Sequence, residues 1–372
     1  MDDIITAMSS IKVISDIDAL NQVCDTLHDT RWLSLDTEFM REKTYAPILC
    51  LLQVCTESDI FCIDTLAIDD LKPVYAMLEN PAVELILHSC RQDFEALDTV
   101  CPLTPSNLFD TQVAAAFCGY GEQVSYAALV ERVEGIKLAK THTRANWQAR
   151  PLSDEELAYA LDDVRYLPAV RNYLADKLAR DGRTSWFEAE CAAQCRPASW
   201  RIDPELSWQR LKGGARLPLE AQEAAKRLAV WREKQAIQRD KPREWILGTS
   251  ALLLMSKLNP ANVDQLQRIE GVHPGFVRNS APAILEILKA SPRERGRDPV
   301  WINQAALDPT QRKRVKGVMG MIRATAEETG ISPSLLANRS MVEKFIRGCT
   351  DIELFKGWRL EVVGQKILAS FS

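Results

Sequence analysis

Strand patterns are confined to roughly the first 110 residues of this 372-residue chain. The runs rich in apolar and β-branched residues are RWLSLDTEF, ILCLLQVC, DIFCID, AVELILHSC and NLFD. The polar turn TESD joins two of them, which predicts a hairpin, and helix patterns separate the later runs. A hairpin followed by strand–helix units predicts an α/β fold in which helices cover a mixed sheet.

Helix patterns take over from Thr111 to the C-terminus. Ser153 and Glu156 form a capping-box pattern, which predicts a helix that reaches about Arg180 and breaks at Pro168. Beyond residue 200 only helices are predicted, and the Pro-flanked basic segment SPRERGRDP (291–299) is typical of a linker. We therefore predict an α/β domain at 1–200 and two small all-α domains at 205–291 and 298–372.

Several functional classes are disfavoured by the sequence. No apolar run reaches the length of about 18 residues that spans a bilayer. The start MDDIITAMSS does not resemble a secretory signal, and the ten cysteines contain no C-x-x-C pair. The nucleotide-binding patterns G-x-x-x-x-G-K-[ST] and G-x-G-x-x-G are missing. We expect a cytoplasmic protein with no membrane contact, no structural zinc and no nucleotide cofactor.

The net charge of −5 conceals two halves of opposite sign. Residues 1–200 hold 17 Lys and Arg against 32 Asp and Glu, a net −15, whereas residues 201–372 hold 29 against 19, a net +10. An acidic half joined to a basic half suggests a metal-using part beside a part that binds a polyanion. The alternative is a drift of surface charge without function.

Four acidic residues of the first half have spacings that suit divalent metals. Asp36 and Glu38 lie two apart on a predicted strand, so their carboxylates share one face about 6.5 Å apart. Asp93 follows the AVELILHSC strand, and Asp163 lies on the long helix. Mg²⁺ and Mn²⁺ prefer oxygen ligands, and two such ions catalyse displacement at phosphorus. Separately, each acid could instead be a solvated strand face, a helix cap or a charged helix face.

Two neighbouring residue types bear on this constellation. Tyr159 precedes Asp163 by four positions, so both side chains share one helix face, and the phenol could orient an attacking water. The alternative is a core tyrosine packed under Tyr166. His88, at a strand end, is expected to be a hydrogen-bonded structural residue, and Asp110 is expected to cap the next helix.

These motifs resemble a known family. LDTEF, HSCRQDFEAL and YALDD, which ends on Asp163, are similar to the three exonuclease motifs of the DEDD superfamily on a ribonuclease H-like fold. Tyr159 matches the tyrosine branch, and Ala158 stands where the other branch has histidine. The longer stretches LDTEFMREKTYAP, LFDTQVAAAF and NWQARPLSDEELAYALDDVRYL resemble the ribonuclease D family. Ala139, after GIKL, departs from an acidic residue that is frequent in the family.

The basic half extends this resemblance. LAVWREKQAIQRDKPREWIL is similar to the helicase-and-RNase-D C-terminal (HRDC) domain, a helical nucleic-acid-binding unit. The segments LLANRSMVEKFIRG and LFKGWRLEVVG resemble its more divergent second copy. RNA contacts are expected from two clusters of basic residues: Arg232, Lys234, Arg239, Lys241 and Arg243, then Arg312, Lys313, Arg314 and Lys316. Trp231 and Trp245 are expected in the core, with base stacking as the alternative.

The resemblance implies a metal-dependent 3′→5′ exoribonuclease that trims tRNA precursors and other structured RNAs to nucleoside 5′-monophosphates. We expect a monomer, and a ring also fits these residues. The resemblance also implies that Asp36 bridges two divalent ions, that Glu38 and Asp163 hold the ion that activates water, that Asp93 supports the other, and that Tyr159 positions the nucleophile. The alternatives are a DNA 3′→5′ exonuclease, or a non-catalytic RNA-binding module on the same scaffold.

Overall fold

The structure, a computed structural model, describes residues 12–27, 29–138, 145–291, 300–301 and 307–371. The start of the chain, Ala139 and nearly all of the predicted linker lie outside these ranges. The chain divides into two compact units. The first contains the described parts of Met1–Met40, Pro47–Arg201 and Val315–Ser372, and the second contains Arg41–Ala46 and the described parts of Ile202–Arg314.

The first unit contains a six-stranded mixed sheet with the strand order β1-β4-β3-β2-β5-β6. Its strands are β1 (Val13–Ile14), β2 (Trp32–Met40), β3 (Ile48–Cys55), β4 (Ile60–Ile63), β5 (Glu84–Leu87) and β6 (Leu108–Asp110). β3 pairs antiparallel with both β2 and β4, and β5 pairs parallel with β2 and β6. The predicted hairpin and mixed sheet are therefore confirmed, whereas β1 was not predicted.

Eight helices cover this sheet among the residues described as far as Gln194. They are α1 (Ile17–Thr26), α2 (Lys72–Leu78), α3 (Arg91–Asp98), α4 (Thr111–Phe117), α5 (Tyr126–Glu134), α6 (Asp154–Arg165), α7 (Leu167–Arg180) and α8 (Thr184–Gln194). α6 begins with the predicted capping box of Ser153 and Glu156. Pro168 ends the long helix as expected, since α6 stops at Arg165 and α7 begins with Pro168 in its first turn.

The C-terminal segment packs on the sheet helices within the first unit. Its helices are α14 (Pro309–Thr329, mostly in this unit), α15 (Pro333–Leu336), α16 (Arg339–Ile346), α17 (Gly357–Arg359) and α18 (Gln365–Ala369). The Arg359 guanidinium donates to both carboxylate oxygens of Glu190 on α8, over 2.6 and 2.7 Å. Trp358 stacks on Trp186 and meets Phe117 edge-on. Val315–Ser372 therefore groups with the α/β fold, and the boundaries predicted at 205–291 and 298–372 remain predictions.

Among its described residues the second unit contains helices, turns and loops but no strand. It contains α9 (Leu219–Arg239), α10 (Arg243–Ile246), α11 (Thr249–Leu258), α12 (Val263–Gln267) and α13 (Pro274–Ala290). Leu228, Leu252 and Ile284 are fully buried in its core. Trp301 lies so close to Gly214 that a Cβ there would come within 2.4 Å of the indole, so this position requires glycine.

In the described part of the chain, we find no helix with both the length and the apolar character needed to cross a bilayer.

Candidate active site

β2 presents two carboxylates on one face of the sheet. Leu33 and Leu35 alternate with Ser34 and Asp36 along the strand, and both leucines are 1% exposed. Glu38 follows on the same face as Asp36. The pairing of β2 with β3 shifts register after Glu38, and such a bulge re-aims the side chains beside it.

α6 adds a third carboxylate to this face. Leu157, Ala160, Leu161 and Val164 form its buried stripe, and the Ser34 hydroxyl donates to the Val164 carbonyl over 3.0 Å. This packing turns Asp163 toward β2. Carboxylate oxygens of Asp36, Glu38 and Asp163 all lie within 4.8 Å of one another. Tyr159, one turn earlier, hydrogen-bonds the Asp163 carboxylate as the i, i+4 spacing predicts.

Asp93 lies in the first turn of α3 and is 7% exposed. The Thr37 hydroxyl donates to its Oδ1 over 2.6 Å, which links β2 to α3. The sequence did not indicate this bond. Asp93 is close enough to Asp36 and Glu38 to raise the pKa of each carboxyl by charge repulsion. The structure therefore brings the four predicted acids into one electrostatic cluster, with three of them at ligand spacing.

Asp110 holds the turn from which Asp93 projects. Its carboxylate is 1% exposed and accepts the backbone N–H groups of Ser89 and Cys90 over 3.1 and 3.0 Å. It also caps α4, as predicted. His88 is a structural residue as expected, because its ring nitrogens lie 2.9 Å from the Thr111 hydroxyl and 3.1 Å from a backbone carbonyl.

Burial and repulsion by other acids raise the pKa of every carboxyl in the acidic cluster. Burial is the main cause that raises the pKa of Glu38 to about 8, and repulsion by Asp163 and Asp93 adds to it. Burial likewise raises the pKa of Asp93 and of Asp163 to about 7. The pKa of Asp36 is raised well above its usual range, by burial first and then by Asp93, Asp163 and Glu38. Crowded carboxylates of this kind are a suitable donor set for hard divalent cations.

Two residues beside the site went unnoticed as individual positions, although both lie in the NWQARPL stretch quoted above. Trp147 is buried and stacks on Tyr159 with ring centroids 6.3 Å apart. Arg150 makes a bidentate pair with Asp64 over 2.6 and 2.7 Å and donates to the Cys50 carbonyl over 2.8 Å. Cys50 lies opposite the bulge of β2, so Arg150 joins the Trp147 loop to the strand pair that carries the acids.

The first predicted RNA-binding cluster is partly internal. Arg232 is 7% exposed and donates to the Leu247 carbonyl, so the prediction that it contacts RNA is wrong. Arg243 pairs with buried Glu233 over 2.5 Å, and Lys234 pairs with Glu205 over 2.5 Å. These ion pairs engage two more basic residues of the cluster with carboxylates of the same unit.

The other predicted RNA-binding residues lie on the surface, most of them in the second unit. Arg239 and Lys241 are exposed, as are Arg312, Lys313, Arg314 and Lys316 on α14, which starts there and continues into the first unit. Trp231 is half-buried against the core as expected. Trp245 is 61% exposed, so its expected core position is wrong and the stacking alternative remains.

Comparisons with known proteins agree with this arrangement. Residues 11–179 match a family model described as 3′-5′ exonuclease, and residues 221–288 match the HRDC domain. Ribonuclease D of Acidiphilium cryptum is 34% identical, over 96% of this chain and 92% of its own. Ribonuclease D of Pseudomonas paraeruginosa is 32% identical, over 96% of each chain.

A solved structure matches across both units. The crystal structure of Escherichia coli RNase D, described as an exoribonuclease involved in structured RNA processing, covers 97% of this chain and 98% of its own. The TM-score is 0.87 at 27% identity. The catalytic core of RRP6 from Trypanosoma brucei, at 22% identity and a TM-score of 0.59 over 76% of this chain, shares the fold.

Proposed function

Because this chain belongs to the ribonuclease D family and is a 3′→5′ exoribonuclease, we propose that it trims tRNA precursors and other structured RNAs with two divalent cations. One observation carries the proposal: carboxylate oxygens of Asp36, Glu38 and Asp163 lie within 4.8 Å of one another. Mg²⁺ or Mn²⁺ bound there supplies a stronger nucleophile from water at neutral pH and stabilises charge on the phosphoryl oxygens.

We propose that each residue of the cluster either binds these cations or positions a group beside them. Asp36, Glu38 and Asp163 would hold one divalent cation, because their carboxylate oxygens lie at ligand spacing. Asp93 would help hold the other, because it is near enough to raise the pKa of Asp36 by repulsion. We assign Tyr159 the orientation of the attacking water, and its hydrogen bond to the Asp163 carboxylate supports this role. The Thr37 hydroxyl fixes the rotamer of Asp93. This assignment follows the ligand chemistry of hard cations, which prefer carboxylate oxygen.

The reaction is the hydrolysis of the last phosphodiester. A water oxygen bonds to the phosphorus of the terminal nucleotide, and the bond from that phosphorus to the 3′ oxygen of the preceding nucleotide breaks. The water proton ends on that 3′ oxygen. The products are a nucleoside 5′-monophosphate and an RNA one nucleotide shorter with a free 3′ hydroxyl.

RNA affinity comes from exposed Lys and Arg side chains outside the acidic cluster. Arg239, Lys241, Arg312, Lys313 and Lys316 offer phosphate contacts, whose contribution falls with salt. Trp245 offers an exposed ring for base stacking. We further propose that the protein acts as a monomer in the cytoplasm, where its ten unpaired cysteines stay reduced.

The test compares matched RNA and DNA substrates. A 3′-extended tRNA labelled at its 5′ end, and a DNA strand of the same extension, are incubated with Mg²⁺, Mn²⁺ or EDTA. We expect stepwise shortening of the RNA with either metal, release of 5′-monophosphates, and no reaction in EDTA. Asp36→Asn should abolish shortening. Asp176→Asn is the matched control, because Asp176 is an exposed acid on α7 outside the cluster. Equal turnover of DNA, or full activity of Asp36→Asn, would refute the proposal.

A further inference from the structure

Gln53 is a buried amide without a partner, and it lies beside the acidic cluster. The residue is 0% exposed in the middle of β3. Neither its Oε1 nor its Nε2 has a hydrogen-bond partner among the described residues. A buried amide left unsatisfied costs about 1–3 kcal/mol, so such a group in a folded core calls for an explanation.

The strand register places Gln53 on the face that carries the carboxylates. It pairs directly with Asp36 on β2, and directly opposite residues of antiparallel strands project to the same side. Side chains in this position have Cβ atoms about 4.5–5.5 Å apart. The long amide side chain of Gln53 can therefore reach the Asp36 carboxylate, directly or through one water.

The other strand neighbours of Gln53 on this face offer no comparable acceptor, and the stripe of α6 that packs on β3 is apolar. Its cross-strand partner on β4 is Cys62, and the residues two positions away along β3 are Leu51 and Cys55. Thiols are weak hydrogen-bonding groups, and leucine has none. Among these four neighbours, Asp36 is the strong acceptor.

We propose that Gln53 is a positioning residue for the metal site: when cations are bound, its amide N–H donates to the Asp36 carboxylate and fixes that carboxylate's orientation. Outer-shell hydrogen bonds of this kind set the direction of a ligand's lone pairs and restrict its rotamers. Gln53 itself touches neither the cations nor the RNA. The inference rests on the function proposed above and adds a residue to the same site.

The test replaces the amide without changing the core volume. Gln53→Met keeps the length of the side chain and removes both polar atoms. We expect kcat to fall about 10–100-fold and the Mg²⁺ concentration for half-maximal rate to rise by a similar factor. Calorimetric titration with Mn²⁺, without RNA, should show a matching loss of affinity. The melting temperature in EDTA should stay equal or rise, because a buried amide without a partner is removed.

Cys62→Ala is the matched control, since Cys62 lies on the same face, one strand further from Asp36, and is also 0% exposed. It should lower the melting temperature and leave Mn²⁺ affinity unchanged. If Gln53→Met binds Mn²⁺ and degrades RNA like the wild type, the positioning role is refuted while the proposed function stands. If the wild type itself shows no metal-dependent degradation, the proposed function is refuted, and the positioning role that rests on it is refuted with it.

Discussion

Asp36→Asn should make the metal-free protein more stable while it destroys activity. In the metal-free site, four crowded carboxyls resist ionisation, as the pKa values of about 8 for Glu38 and about 7 for Asp93 and Asp163 show. At pH 8 the raised pKa values lower the free energy of unfolding, because the same carboxyls titrate near pH 4 in the unfolded chain and ionise there freely. Asparagine removes one charge from the cluster. Burial and three acidic neighbours raise the pKa of the Asp36 carboxyl, so its removal relieves the folded state. Since one pKa unit corresponds to about 1.4 kcal/mol, we expect the variant to gain on the order of 2 kcal/mol.

Thermal unfolding in EDTA and in Mg²⁺ measures this effect. A gain of about 2 kcal/mol raises the melting temperature by about 4–8 °C for a unit of this size. Mg²⁺ at about 100 times its Kd should stabilise the wild type by about 2.7 kcal/mol, and Asp36→Asn by far less. Asp176→Asn, which removes an exposed charge on α7 outside the cluster, should keep the full Mg²⁺ response. A variant that is less stable than the wild type in EDTA at pH 8, or that keeps the Mg²⁺ response, would refute the reasoning.

Three further predictions follow from the same structure. The raised pKa values make the metal-free protein lose stability as pH rises from about 4, where the unfolded carboxyls ionise, to about 8. The Mg²⁺-induced rise in melting temperature should grow over that range, and a Mg²⁺ response independent of pH would contradict this. Arg150→Met should lower the free energy of unfolding by about 3 kcal/mol, because it leaves the nearly buried Asp64 unpaired. Arg150 helps hold the pKa of Asp64 below its usual value, so this loss should shrink as pH falls below about 4, as measured by denaturant titrations. A chain that ends at Arg201 should have a much lower melting temperature than the full chain, because Phe117 loses its contact with Trp358 and Glu190 loses its ion pair with Arg359. Circular dichroism measures this, and equal melting temperatures would show that the C-terminal segment adds no stability.

The sequence predicted the sheet and the acids because short-range patterns determine both. The alternation in RWLSLDTEF fixes which side chains of β2 share a face, and Ser153 with Glu156 fixes where α6 begins. The i, i+4 spacing then places Tyr159 beside Asp163. These relations need no knowledge of distant residues, so the site could be assembled from local rules and the family resemblance.

What the sequence did not predict depends on long-range contacts. The Thr37–Asp93 bond spans 56 positions, and Arg150 reaches Asp64 across 86. Arg232 belongs to a basic run that is typical of a solvated surface, yet the packing of α9 buries it. Trp245 has a core-forming side chain, yet it lies on the short helix α10 after Pro242 and remains exposed. Charge and hydrophobicity along the chain do not distinguish these outcomes.

The most direct measurement is anomalous diffraction from crystals of the wild type soaked with Mn²⁺. We predict two anomalous peaks beside Asp36, each with carboxylate oxygens within about 2.5 Å: one contacts Glu38 and Asp163, and the other lies on the Asp93 side. The same crystals of Asp36→Asn should lose at least one peak. Peaks elsewhere on the chain, with carboxylates of this cluster turned apart in protein that still degrades RNA with Mn²⁺, would contradict the account.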